Sequence, residues 1–323
     1  MKKKNKNLPR HQAGGVTLKG GTGGITGMYG LDKYLEIYKV DHTFRVQTPD
    51  SLDPDETVPD MPWVVSEVPG IGSGNPIVAR VFIQSAKAIR QKTFKRMTDE
   101  KKLLMLMHSC KEDLLICEKA YNALISEYEQ ILKRIEHEGI ERDGKALNPF
   151  PQIHDLSFQV TAFLTAIKRS FQLIVRVFDE FYEKNITNPR FDKIISYLKR
   201  QKPEYKPYID FLTRTQENVT NLLDLRNYQE HPTDDKKTVI YNLRLTPKGI
   251  CPPCWHVTGK PESPIIEDMK AIINFMIQFA ETNFFYCFVD NLSGWIPWRL
   301  VEIPPENRNK DCPIRYSLEI DMS

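Results

Sequence analysis

TDEKKLLMLMHSCKEDLLICEKAYNALISEYEQILKRIEHEG, residues 98–139, carries a single apolar stripe without a break. Leu103, Met107, Cys110, Leu114, Cys117, Tyr121, Leu124, Tyr128, Ile131 and Ile135 follow one another at alternating steps of four and three. That spacing keeps a line of side chains on one side of an α-helix. The stripe covers roughly 33 residues, about 50 Å of helix. Thr98 is placed to cap it and Gly139 to end it. A loop with Gly144, Pro149 and Pro151 follows. A second stripe then runs through Leu156, Val160, Phe163, Ile167, Phe171, Ile174, Phe178 and Phe181. Two long striped helices joined by a short loop predict an antiparallel hairpin. A parallel coiled-coil dimer is the alternative.

Working outward, helices are expected over 191–200, 208–228 and 264–289, with Pro203 and Pro207 separating the first two. Between the last two the period changes. Residues 238–245 read as a strand, Pro247-Lys248-Gly249 as a turn, and Trp255-His256-Val257 as the returning strand. Upstream, Asn75-Pro76 is a good helix start, followed by Ile77, Val78, Val81, Phe82, Ala88 and Ile89 at helical spacing. Residues 1–75 are punctuated by glycine and proline and read as an extended arm with short strands and a poor core. The expected fold is therefore mainly α. A helical body over 76–291 has about five helices and a β-hairpin inserted at about 238–258, and a tail over 292–323 holds Trp295, Trp298 and a short strand at 314–320.

Composition is that of a globular chain: 323 residues, 41% hydrophobic, 27% charged, 10% aromatic. Collagenous, disordered and disulfide-knot classes are excluded. Lys+Arg 45 against Asp+Glu 42 leaves +3, too balanced to argue for nucleic acid from bulk charge. Six cysteines at low density predict buried thiols in a reducing compartment. Met1-Lys2-Lys3-Lys4-Asn5-Lys6 looks like the start of a signal peptide, yet glycine and threonine follow instead of an apolar core. Residues 271–289 are apolar but contain Asn274, Gln278, Glu281 and Asn283, so a buried helix is expected and no membrane span. The expectation is a soluble, cytoplasmic protein.

The segment with chemical content is Arg226-Asn227-Tyr228-Gln229-Glu230-His231-Pro232. Leu212, Val219, Leu222 and Leu223 form the apolar side of the preceding helix, and continuing that side reaches Arg226. An arginine at the inward end of an apolar stripe needs a partner or a cleft. Pro232 disfavours helix at His231, so Arg226 sits in the last turn and His231 at the exit. Histidine suits general acid–base work near neutrality, and arginine offers a fork matched to phosphate. Together they suit cleavage of an RNA phosphodiester by its own 2′-hydroxyl, with no metal required. The bland reading makes Arg226 a helix-end residue bonding carbonyls and His231 a surface residue.

The run from Arg226 to His231 resembles the signature of the HEPN superfamily (higher eukaryotes and prokaryotes nucleotide-binding): Arg, a polar residue, then a few residues and His. The resemblance covers roughly residues 98–290, including the helical hairpin. It implies a HEPN-like helical bundle and a homodimer whose two motifs converge in one cleft. It also implies metal-independent endoribonuclease activity leaving a 2′,3′-cyclic phosphate and a 5′-hydroxyl. By the same resemblance Arg226 and His231 are catalytic and Asn227 orients them. RNA is the implied partner, with a toxin or antiphage (antiviral) defence role and a neutralising or regulatory protein partner.

Other features carry less. Cys251-Pro252-Pro253-Cys254 with His256 offers up to three zinc ligands, but a structural site needs four, and Cys312 or His231 would have to come from afar. A stiff turn is the plainer reading, and no metal or cofactor is expected. Gly20-Gly21-Thr22-Gly23-Gly24 lacks the Gly-Lys-Ser/Thr ending of a phosphate loop and reads as flexible arm. Lys2, Lys3, Lys4, Lys6 and Arg10 form a basic tip, solvated or in loose contact with RNA. His108 and His137 read as surface or partly packed residues, and His154 as a residue of the loop or cap before the second helix. Asp179, Glu180 and Glu183 read as a charged helix face. Two rivals to the nuclease stand: a non-catalytic dimeric interaction protein, and a zinc-stabilised nucleic-acid-binding module.

Overall fold

The computed structural model describes residues 9–11, 15–90, 94, 98–186, 189–293 and 298–320. In chain order come strands β1 (Gly27–Gly30), β2 (Leu35–Tyr38) and β3 (His42–Gln47), helix α1 (Pro49–Leu52) and strand β4 (Val64–Pro69). A π-helical stretch, Ile77–Ile83, runs into α2 (Gln84–Arg90), and then α3 (Glu100–Glu138) follows. Short strands β5 (Arg142–Asp143) and β6 (Ala146–Leu147) precede α4 (Leu156–Tyr182), α5 (Phe191–Gln201) and α6 (Lys206–Glu230). Next are β7 (Thr238–Tyr241), β8 (Arg244–Thr246), β9 (Gly249–Cys251), β10 (Cys254–Val257), β11 (Ser263–Pro264), α7 (Ile265–Asp290), β12 (Trp298–Glu302) and β13 (Tyr316–Ile320).

This corrects the expected fold. The described residues hold seven α-helices and five separate antiparallel sheets, in place of a HEPN-like bundle of about five helices with one β-hairpin and an irregular arm. Much of the stretch read as an irregular arm is a four-stranded meander, β1-β2-β3-β4, whose first two turns, 31–34 and 39–41, hold no glycine or proline, while Pro49, Pro54, Pro59 and Pro62 lie in the long β3–β4 connection. The single strand expected over 238–245 is two, because Asn242 breaks the ladder. Its amide donates to the Ile153 carbonyl at 2.8 Å, while its oxygen accepts from the Ile153 and Leu243 amides at 3.0 and 2.8 Å. The broken strand and its return make the three-stranded sheet β11-β10-β7 and a separate β8-β9 hairpin.

The chain divides into two compact units, Met1–His108 with Val289–Ser323, and Ser109–Phe288. In the first, register places Ile37 opposite Phe44 and Val46 opposite Val65. Ile37, Phe44 and Val46 form a small core with Leu18 and Leu35. On the opposite side of the sheet Tyr29 and Tyr38 meet Phe82, with ring centroids 5.2 and 6.0 Å apart. Glu36 is fully buried there, accepting from Tyr38 and from Arg45 Nε at 3.0 Å, with His108 Nε2 also at 3.0 Å. His108 is thus a buried partner of a buried carboxylate. The β12-β13 hairpin is tied in at Gln84, whose side-chain oxygen accepts from the Arg315 and Tyr316 amides at 2.6 and 2.7 Å. The glycine run is a pinned turn. Asp41 Oδ1 accepts from the Thr22 amide at 2.7 Å, and Lys39 Nζ donates to the Gly20 carbonyl at 2.6 Å. Arg10 is buried and donates to Asp53 at 2.6 Å. Lys2, Lys3, Lys4, Lys6 and Trp295 lie outside the described residues.

In the second unit every stripe residue of α3 from Cys110 to Ile135 is buried or half-buried. At the start of α3 Asp99 accepts from the Lys102 amide at 2.9 Å and caps the first turn. α4 runs back along α3: Asp113 accepts from Arg169 at 2.5 Å, Cys117 donates to the Phe163 carbonyl at 3.6 Å, and Glu127 accepts from the His154 amide at 2.9 Å. Phe171, Phe191, Phe211 and Phe279 bring α4, α5, α6 and α7 together, with Phe279 within 5.7 Å of each of the other three rings. α7 is long and apolar enough to cross a membrane, and its Met269, Met276, Phe279 and Phe284 are buried in protein.

Gly72 is required by close approach. A Cβ there would lie 2.3 Å from the Lys39 carbonyl oxygen and 2.5 Å from the His42 nitrogen. Gly72→Ala should cost about 1–3 kcal/mol, read as a lowered denaturation midpoint. Gly15→Ala, which meets nothing within 4 Å, should leave the midpoint unchanged. Asp53 is held well below the usual carboxylate range by the Val58 and Thr57 amides and then by Arg10. Its contribution to stability is complete above the ordinary aspartate pKa and is lost as pH falls below it. Asp53→Asn should flatten the acid limb of a stability–pH curve.

Candidate functional site

α6 starts with Pro207 in its first turn, where the missing N–H costs nothing. Tyr208, Ile209, Leu212, Val219 and Leu225 are its buried residues. Its last turn carries Arg226, Asn227 and Glu230, and His231 stands just past it in a non-helical conformation, as Pro232 demands. The His231 amide still donates to the Asn227 carbonyl at 2.8 Å. Thr238, opening β7, donates to the Leu225 carbonyl at 2.6 Å and so ties the start of β7 to the C-terminal part of α6.

Arg226 and His231 share one carboxylate. Arg226 NH1 pairs with Glu230 Oε2 one turn ahead, and His231 Nε2 lies 3.4 Å from the same oxygen. The Arg226 side chain is 13% exposed, that of Glu230 48% and that of His231 75%. A largely covered guanidinium and an open imidazole therefore border one spot on the surface. Asn227 points elsewhere: its Oδ1 accepts from Lys168 Nζ of α4 at 3.1 Å. Burial lowers the Lys168 pKa, and the nearby Arg226 charge lowers it further. Gln229 donates to Thr161 of α4 at 2.8 Å. These two bonds run antiparallel along the helix pair, so His231 emerges at the end of α4 that holds Phe158. Phe158 lies one turn before Thr161 on the same side of α4 and is 69% exposed.

So the three residues singled out from sequence do not act on one atom. Arg226 and His231 meet at Glu230, and Asn227 anchors the helix to Lys168. Glu230 was legible as an i,i+4 partner of Arg226. Lys168 and Phe158, some 60 to 70 residues earlier, gave no local signal and are brought in by α4 packing.

The cysteine pair offers no assembled metal centre. Cys254 points to the Pro252 carbonyl at 3.3 Å and Cys251 to Thr246 Oγ1 at 3.8 Å. Burial raises the Cys254 pKa, which disfavours the thiolate a metal needs. His256 turns Nδ1 to the Lys260 carbonyl at 3.0 Å. Cys251, Cys254 and His256 do not bring their ligand atoms together at metal-binding spacing. All six cysteines are free thiols, and Cys312 belongs to the other unit.

No family model, no curated protein and no solved structure matches this chain.

Thr238→Val leaves the Leu225 carbonyl without its side-chain donor. The expected cost is about 1–2 kcal/mol, with faster amide exchange confined to the last turn of α6.

Proposed function

We propose that the exit of α6 is a metal-independent RNA-cleaving site, with Arg226 binding the scissile phosphate and His231 moving protons. The observation that carries this reading is the convergence of the two side chains on the same Glu230 oxygen. A phosphate oxygen placed there would take over the Arg226 fork in a charge-assisted bond. The imidazole beside it would remove the 2′-hydroxyl proton as O2′ attacks phosphorus. The P–O5′ bond then breaks, leaving a 2′,3′-cyclic phosphate and a 5′-hydroxyl. The departing O5′ needs a proton as well. A second copy of the chain, bringing its own motif to the cleft, supplies the second imidazole, and this is the reason to expect a working dimer. The Arg-Asn-x3-His spacing shared with HEPN proteins supports the same reading. Phe158, exposed at the same end of the helix pair, offers a ring for an unpaired base.

Glu230 enters as a competitor, because its carboxylate occupies the position a phosphate would take. A second reading rests on the same pair: Arg226–Glu230 is also a good structural helix end, and in that case the chain is an interaction protein.

Cleavage of total cellular RNA in EDTA decides between them. The wild type should cut, with cyclic-phosphate ends. Arg226→Ala and His231→Ala should each lower the rate by at least about 100-fold. Glu230→Gln should bind RNA more tightly at low salt, since a competing charge is gone. Cutting that persists in both mutants moves the site elsewhere. A protein that neither cuts nor binds RNA, and whose Arg226→Ala variant is merely less stable, is the interaction protein.

A further inference from the structure

α6 has a second working side. Asn218, Asn221, Leu222 and Leu225 face a cleft of about 470 Å³, closed by the β10–β11 segment and by α7. Successive residues turn 100° around a helix, so Arg226, Asn227 and Glu230 lie on another side. The size is that of a small-molecule site. The walls are apolar: Leu222, Val257, Ile272 and Phe275 line it, and Trp255 is fixed at its base by donating from Nε1 to Asp268 Oδ2 at 2.6 Å.

The polar groups of this cleft are unevenly committed. Glu262 is held by Arg244 at 2.5 Å. Lys260, the one cation in the lining, is exposed and reaches Asn221 Oδ1 at 3.5 Å. Asp268 receives Trp255 and Ser263 on the same oxygen, Oδ2, at 2.6 and 2.5 Å. Asp224 is half-buried in the lining and has no hydrogen-bond or ion-pair partner among the described residues. His256, also in the lining, spends Nδ1–H on a carbonyl, so in the neutral ring Nε2 is an acceptor; that atom is buried without a partner. Among the covered groups the spare capacity is that of hydrogen-bond acceptors, Asp224 and His256 Nε2, and three carboxylates stand against Lys260 and the Arg244 that holds Glu262. A phosphate or carboxylate ligand would be repelled, whereas a ligand rich in N–H donors would be matched on both charge and hydrogen bonding.

We propose that this cleft binds a small organic cation, an amine or amidine carried on an apolar ring-sized body. The ring lies between Leu222 and Phe275, and the charged end meets Asp224.

Titration of the full chain with benzamidine, and with benzoate as the anion of the same shape, tests this by calorimetry and ligand-observed NMR. Benzamidine should bind saturably and at least tenfold more tightly than benzoate. Asp224→Asn should weaken benzamidine at least fivefold. Ala271→Trp, which fills the cleft from a surface position of α7, should abolish binding while circular dichroism and melting stay unchanged. Equal affinity for the two probes, no saturable binding of benzamidine, or binding indifferent to both substitutions overturns the proposal. None of these outcomes depends on whether the chain cuts RNA.

Discussion

A 39-residue helix with a single apolar side has to be covered along its whole length, and much of the second unit follows from how α3 meets that demand. α4 lies antiparallel on it, fixed by Asp113–Arg169, by Cys117 against the Phe163 carbonyl, and by Glu127 at the start of α4. With α4 held there, its opposite side is available to α6, and Thr161 and Lys168 become the anchors of Gln229 and Asn227. The place of Arg226 and His231 is thus set by a stripe more than ninety residues earlier. Removing apolar contact from that seam would disturb the site without touching it.

The long helices were legible because their apolar residues repeat at helical spacing over many turns, and a pattern that long has no competing period. The sheets were not. β1 to β4 are four to six residues each, too short for their pattern to show pairing, so they read as short strands in an extended arm and not as one sheet. Their partners lie across turns whose geometry a linear pattern does not reveal. Asn242 hid a second break, since a side chain that mimics strand pairing looks like one more polar strand residue. At the site, the chain position of Arg226 and His231 was readable from the helix pattern and Pro232. The partner of Asn227 was not, because Lys168 is 59 residues away and only tertiary packing selects it.

The Arg226–Glu230 pair has a particular energetic character. A carboxylate that is half exposed binds its arginine with only about 0–1 kcal/mol of net stability. The guanidinium is therefore positioned by covering side chains and held in place at little cost, and an incoming anion has little to displace. α6 meanwhile separates two electrostatic environments, with Lys168, Arg226 and His231 on one side and Asp224 and Asp268 at the cleft on another. A helix of 25 residues can carry both because side chains a few positions apart point in different directions.

The two hydrogen bonds at Gln84 bear on how the chain is made. Their donors, Arg315 and Tyr316, are 231 and 232 residues downstream, and Ser73 similarly donates to the carbonyl of Asp311. The first unit is therefore discontinuous, with the whole of Ser109–Phe288 threaded between its two parts. On a ribosome the first unit is begun first yet completed last. It waits, with Gln84 lacking both of those donors, while the helical unit emerges and folds. Translation that stops before Asp311 would release a finished helical unit attached to an unfinished first unit, and quality-control proteases would find their substrate at the older end of the chain.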